Sequence, residues 1–247
     1  MLSKTIVKYI QSLHHKKYRD EHEMFIAEGP KGVTEILLSK QFFCEMIFAS
    51  ESWLSKNEKL LKEISTEKKF PSKEFELEKI SLLSTPNKVL AVFRKKEFEA
   101  GVLKNKISIM LDDVHDPGNM GTIIRIADWF NIQNIICSED CVDMYNPKVV
   151  QASMGSLGRV SVIYIDLEKF AEGNKDIPIY ATTLTGTSIY SIKNIKQGLI
   201  LVGNESRGIR KELLKLSANE ISIPKLGKAE SLNAAVATGI ILSYILK

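Results

Sequence analysis

The sequence predicts an α/β protein: a parallel-sheet domain preceded by a smaller α/β module. Short apolar runs recur at 107–111, 134–137, 160–165, 177–182, 199–202 and 221–223, separated by helical or loop stretches. Strands that are apolar along both faces fit a sheet covered on both sides, which is where parallel sheets are found. The chain also changes character near residue 100, with glycine sparse before it and frequent after it. The charged stretch FRKKEFEAG, residues 93–101, reads as a strand end running into a linker. One domain is therefore expected over 1–100 and another over 105–247, with the boundary at 97–105.

The elements follow in order. Residues 1–19 hold five basic side chains and no acid, a weak signal for a polyanion that an ordinary solvated helix face would also give. Residues 25–29 read as a short strand, and Pro30 opens a helix to about 39 whose Val33, Ile36 and Leu37 share one face. Stretches 44–50 and 89–93 read as further strands. In the second part a helix is expected over 122–130, with Ile123, Ala127 and Phe130 inward. The final helix should bury Leu232, Val236, Ile240 and Tyr244, with Ser231 as its cap.

Composition narrows the class. With 247 residues and 44% of them apolar, the chain can bury a core without staples. Cys44, Cys137 and Cys141 cannot close a disulfide set, and no Cys/His spacing suggests a metal, so none is expected. The longest apolar stretch, 234–246, is broken by Thr238, Gly239 and Ser243 and is too short to cross a bilayer. No targeting segment is visible, so a cytoplasmic protein with no membrane partner is expected.

Three polar, glycine-containing segments interrupt the sheet pattern. Asp116-Pro117-Gly118-Asn119-Met120-Gly121 follows the first strand of the second domain. Gly203-Asn204-Glu205-Ser206-Arg207-Gly208 follows strand 199–202 without a gap, and Ile223-Pro224-Lys225-Leu226-Gly227 runs on through Ser231-Leu232-Asn233 into the last helix. Any one of them alone is as well explained by a turn or a cap. Together they sit after strands of one presumed sheet, where α/β proteins bind ligands. Neither GxGxxG nor GxxxxGK[ST] occurs, so no dinucleotide or P-loop site is indicated.

The ordered set Asn119-x-Gly121-x-x-x-Arg125, Gly203-Asn204-Glu205-x-x-Gly208 and Ile223-Pro224-x-x-Gly227-x-x-x-Ser231-Leu232-Asn233 resembles the three motifs of the SpoU (TrmH-type) RNA ribose methyltransferases of the SPOUT superfamily. The resemblance covers essentially all of 105–247. The stretch from Tyr18-Arg19-Asp20 to Glu28-Gly29-Pro30 is similar to the RNA-binding N-terminal domain of many members, which is related to a ribosomal-protein fold. The resemblance implies a deep trefoil knot in the C-terminal sheet and a homodimer. It also implies methyl transfer from S-adenosylmethionine to a ribose 2′-hydroxyl, of ribosomal RNA ahead of transfer RNA. A non-catalytic RNA-binding or ribosome-assembly factor on the same fold is the competing expectation.

By position in those motifs, Arg125 matches the catalytic arginine and Asn119 the asparagine that helps place it or the RNA. Glu205, Ser231 and Asn233 match further active-site positions, with Glu205 orienting either Arg125 or an amide of the cofactor loop. Thr182, Leu184, Gly203, Asn204, Gly208, Ile223, Leu226 and Leu232 are expected around the cofactor. Charge alone nominates Lys16, Lys17, Arg19, Arg94, Lys95 and Lys96 for RNA phosphate. A guanidinium is effectively always protonated, so alkoxide stabilisation and phosphate grip suit Arg125 better than general-base work.

Overall fold

The computed structural model describes residues 1–83, 85, 87–192 and 195–246. Along the chain run α1 (Lys4–Ser12), α2 (Lys16–His22), β1 (Met24–Glu28), α3 (Pro30–Ser39), β2 (Cys44–Ala49), α4 (Glu51–Lys56), β3 (Lys69–Pro71), α5 (Glu74–Ile80) and β4 (Val89–Arg94). There follow β5 (Ile107–Leu111), α6 (Pro117–Trp129), β6 (Asn134–Cys137), α7 (Pro147–Ser153), β7 (Ser161–Tyr164), α8 (Leu167–Gly173), β8 (Ile179–Ser188), β9 (Gly198–Val202), α9 (Lys211–Leu216), β10 (Asn219–Ser222) and α10 (Ala234–Ile245).

Residue contacts divide the chain into two units. Unit 1 is Met1–Lys96 together with Asp143–Arg159, and unit 2 is Glu97–Val142 together with Val160–Lys247. Composition had placed everything from 105 onward in a single domain; the 143–159 segment, including α7, instead packs with unit 1.

Unit 1 is built on a four-stranded sheet of order β1-β4-β2-β3. On one face Ile26, Phe48, Leu90 and Val92 pack with Ile10 and Leu13 after α1 begins and with Leu77 and Ile80 of α5. On the other face Phe25 stacks on Phe93 and meets Phe42 and Tyr145, so the 143–159 segment supplies an aromatic side chain to this core. Gly155 lies against α3 so closely that an added Cβ would stand 2.3 Å from the Glu35 Cβ. Arg159 reinforces the contact with an ion pair to Glu35 at 2.8 Å.

The sheet of unit 2 is six-stranded, of order β10-β8-β9-β5-β6-β7, and every neighbouring pair is parallel. Met110, Ile136, Leu199 and Leu201 face α8 and α9 through Leu167, Ala171 and Leu213. From the central strand β5 the chain moves outward through β6 to β7, then returns to fill β8, β9 and β10 on the opposite side. Connections therefore leave β5 and β9 in opposite directions, and the crevice at their carboxyl ends is the position where open parallel sheets hold ligands.

Several sequence expectations shift here. The helix expected over 122–130 begins at Pro117, because Asp116 caps it by accepting the Asn119 N–H at 2.7 Å and proline suits the first turn. The strand expected over 177–182 is β8 and continues to Ser188. In this extension Gly186 lets the β10 backbone approach; a Cβ there would be 2.6 Å from the Glu220 carbonyl carbon. In α10 the buried side chains are Ala234, Ala235, Thr238, Ile241 and Leu242, while Leu232 and Val236, expected inside, are about half exposed.

Candidate functional site

Because the sheet is parallel, the segments that follow β5, β9 and β10 all emerge at one edge, and these are the three glycine-containing stretches. Side-chain hydrogen bonds join them. The Asn119 Nδ2 donates to Glu205 Oε1 at 2.6 Å, and the Asn233 Nδ2 donates to Asn119 Oδ1 at 2.6 Å. Asn119 is buried in the first turn of α6 and so uses both ends of its amide, one towards each of the other two stretches. Asn233 in turn caps α10, its Oδ1 accepting from the N–H groups of Ala235 and Val236 at 3.0 and 3.1 Å. The chain therefore brings Asn119, Glu205 and Asn233 together across 86 and 114 residues of sequence separation.

Cap duty falls to Asn233 rather than Ser231. An asparagine caps a helix as well as a serine does. Ser231 is exposed, two residues before the cap position, and its hydroxyl makes no hydrogen bond among the described residues. Glu205 accepts from the Asn119 side chain, a partner the sequence does not suggest for it. Arg125, six residues after Asn119 on α6, is exposed and has no ion pair among the described residues.

Two aspartates at the end of β5, which sequence reasoning passed over, brace the second stretch. Asp112 is fully buried and accepts from Arg210 twice, from N at 2.8 Å and Nε at 2.7 Å. Asp113, at φ 60°, accepts the Asn204 Nδ2 on its carbonyl at 2.8 Å and on Oδ2 at 3.2 Å. It also pairs with Arg207 at 2.7 Å and with His115. The only sequence signal was their place, a carboxylate pair directly after a buried strand. Cys141 supports the same turn, accepting the Val114 N–H at 3.3 Å. Its thiol is pulled down to about 7 by the hydrogen bond from Cys137, against the upward push of burial.

Within Gly203-Asn204-Glu205-Ser206-Arg207-Gly208 the backbones of Asn204 and Gly208 pair in both directions. This places the Gly208 carbonyl carbon where a Cβ on Gly203 would be only 2.4 Å away, so position 203 has room for glycine alone. Gly208 itself sits at φ 69°.

The other residues nominated for a cofactor surround the same edge in part. Thr182 is half-buried within β8, Leu184 projects from that strand 71% exposed, and Ile223 follows β10 half-buried. Leu226 is 99% exposed and Leu232 about half exposed. The hydroxyl of Thr183 on β8 is buried without a partner among the described residues. Exposed leucines and loop backbone outside any ladder fit a ligand with an apolar ring and polar edges. Among the described residues no cluster of three or more His, Cys, Asp or Glu could hold a metal ion.

Of the cations nominated for RNA, Arg19 is a correction. It is 2% exposed, with its guanidinium donating to Asp143 Oδ2 at 2.7 Å and to the carbonyls of Leu13 and His14. It serves the interior of unit 1. Lys16 and Lys95 both pair with Asp20 at 2.6 Å, Lys17 lies over the Tyr18 ring, Lys96 Nζ donates to Gln41, and Arg94 pairs with Glu45 at 3.0 Å.

The three-way amide junction has a testable consequence. Asn119→Asp sets a second carboxylate against Glu205, so near neutral pH the junction opens and any activity housed there falls by about 10-fold or more. Acidification protonates one of the pair and should recover part of the loss relative to the unsubstituted protein; a pH-independent ratio of the two rates would contradict the junction's role.

Comparison with known proteins yields a consistent set. The family model described as SpoU rRNA Methylase family matches residues 106–243, and that of the MRM3-like substrate binding domain matches 4–91. The chain is 27% identical over 243 residues to the 23S rRNA (guanosine(2553)-2'-O)-methyltransferase RlmP of Bacillus subtilis, covering 97% of this chain and 95% of that protein. Among solved structures it resembles a TrmH-family protein from Porphyromonas gingivalis at 34% identity and TM-score 0.85, covering 99% and 98% of the two chains. It also resembles the AdoMet-bound rRNA methyltransferase of Sinorhizobium meliloti at 29% identity and TM-score 0.88, covering 99% and 96%.

Proposed function

The chain belongs to the SpoU rRNA Methylase family, and from that premise we propose that it transfers a methyl group from S-adenosylmethionine to a ribose 2′-hydroxyl of ribosomal RNA. The observation that carries the reading is the Glu205–Asn119–Asn233 junction, which gathers all three motif segments at the switch point of the parallel sheet.

Bound there, S-adenosylmethionine supplies an electrophilic methyl on a sulfonium. The chain's residues do the rest. The Gly203 to Gly208 loop and the 223–233 segment hold the donor, with Leu184, Leu226 and Leu232 covering its apolar surface and Thr182 at the side. Asn204, tied to Asp113, fixes the loop from beneath. The attacking hydroxyl loses its proton as it reacts, so negative charge develops on the ribose oxygen. Arg125, exposed and uncommitted, meets that charge and an adjacent phosphate. Asn119, Glu205 and Asn233 position the segments that frame it.

The same reading includes the trefoil knot and the homodimer. The third motif returns from the edge strand β10, past the ends of β8 and β9, to Asn119 beside β5, the kind of crossing a knot requires. Helices α6 and α10 pack on each other and leave Trp129 84% and Val236 51% exposed. A second copy would cover such a face. No helix among the described residues is long and apolar enough to cross a membrane.

Mapping 2′-O-methyl marks across total RNA with and without the gene tests this proposal. Loss of one ribosomal mark, restored by the purified chain with S-adenosylmethionine on unmodified RNA, is the expected result. An unchanged ribosomal map, or a lost mark in transfer RNA alone, would refute the ribosomal assignment.

A further inference from the structure

Unit 1 exposes one aromatic ring in an unusual setting. Phe43 stands just before β2 and is 56% exposed, beside the last residue of β4, whose N–H donates to the Phe43 carbonyl at 2.9 Å. Two cations from different elements lie over its ring, Lys68 Nζ at 4.4 Å and Arg94 Cζ at 5.0 Å from the centroid. Glu45 holds both, Oε1 to Lys68 at 3.4 Å and Oε2 to Arg94 Nε at 3.0 Å. The carboxylate thus fixes the cations at the ring while neutralising only one of them. The terminal nitrogens of Arg94 have no partner among the described residues, and that side chain is more than half exposed.

We propose that Phe43, Lys68 and Arg94 form a stacking platform for an unpaired nucleotide of the RNA substrate, with the base on the ring and its phosphate on the two cations. This rests on unit 1 being the RNA-holding half. The chemistry favours RNA over a protein partner. A single half-exposed ring gives too little apolar area for a protein hot spot, whereas a ring that already carries two cations against one carboxylate matches a base with its phosphate. It favours unpaired over duplex RNA because a paired base offers no free face. Other exposed aromatics of unit 1, Tyr18 and Phe75, each carry one cation at more than 5 Å and no shared carboxylate.

The test uses the full chain and fluorescence anisotropy with a single-stranded RNA of about 12 nucleotides and a duplex of the same sequence. Phe43→Ala should weaken single-strand binding about 10-fold while changing duplex binding little, since stacking on one side chain is worth that much. Phe43→Trp should keep the affinity, and Arg94→Gln should lower the salt slope by about one phosphate. Unchanged single-strand affinity in Phe43→Ala, or a loss in Phe43→Trp as large as in Phe43→Ala, would overturn the platform. Methyl transfer by the unsubstituted chain is read separately. Activity with an indifferent Phe43 would discard the platform and keep the enzyme; a Phe43-dependent affinity without methyl transfer would do the reverse.

Discussion

Arg125→Ala is expected to lower methyl transfer by at least about 10²-fold, the loss seen when one charge-stabilising donor is removed from a transition state. The side chain is exposed on α6 and outside the Glu205–Asn119–Asn233 junction, so the junction should survive its removal. Affinity for S-adenosylmethionine, measured by titration calorimetry, should stay near that of the unsubstituted chain. Arg125→Lys is informative as well. It keeps a charge but loses the forked donor geometry, and should recover only part of the rate. Turnover unchanged in Arg125→Ala would remove this residue from the mechanism; loss of cofactor affinity would make it a binding residue.

Asp143→Ala should be strongly destabilising to unit 1. It leaves the Arg19 guanidinium buried with two carbonyl partners and no counter-charge, a situation that costs about 3–5 kcal/mol. For a chain of this size the apparent thermal midpoint should fall by about 10 °C. Arg19→Met combined with Asp143→Leu should restore much of the loss, because replacing both partners by apolar groups avoids the stranded charge. A midpoint unmoved in Asp143→Ala would show that water reaches Arg19 in solution.

What could be read from sequence followed from local physics. The strands 107–111 and 134–137 and the helix from Pro30 to Ser39 fall where apolar periodicity and the proline put them. The meeting of Asn119, Glu205 and Asn233 followed from motif order and the common edge of a parallel sheet. What could not be read depends on partners distant in sequence. Nothing near Arg19 distinguishes it from a surface cation, since the carboxylate that buries it lies 124 residues away. The stripe of Leu232 and Val236 has the spacing of a core face, but α10 is apolar nearly all round. Periodicity then cannot choose a side, and Ala234, Ala235 and Thr238 turned inward instead. Ser231 and Asn233 are equally good caps by type, and what separates them is the helix start at Ala234, where Asn233 Oδ1 accepts from Ala235 and Val236.

The segment Asp143–Arg159 leaves unit 2 after Val142, joins unit 1 and returns at Val160, so the polypeptide changes unit three times rather than once. Unit 1 is accordingly not an appendage that recombination could replace in a single exchange near residue 97. A transplanted N-terminal half would arrive without Tyr145, Asp143 and the glycine that fits α3, and the recipient would be left with an orphaned loop. Exchanging unit 1 as a whole therefore means moving two separate stretches of chain together.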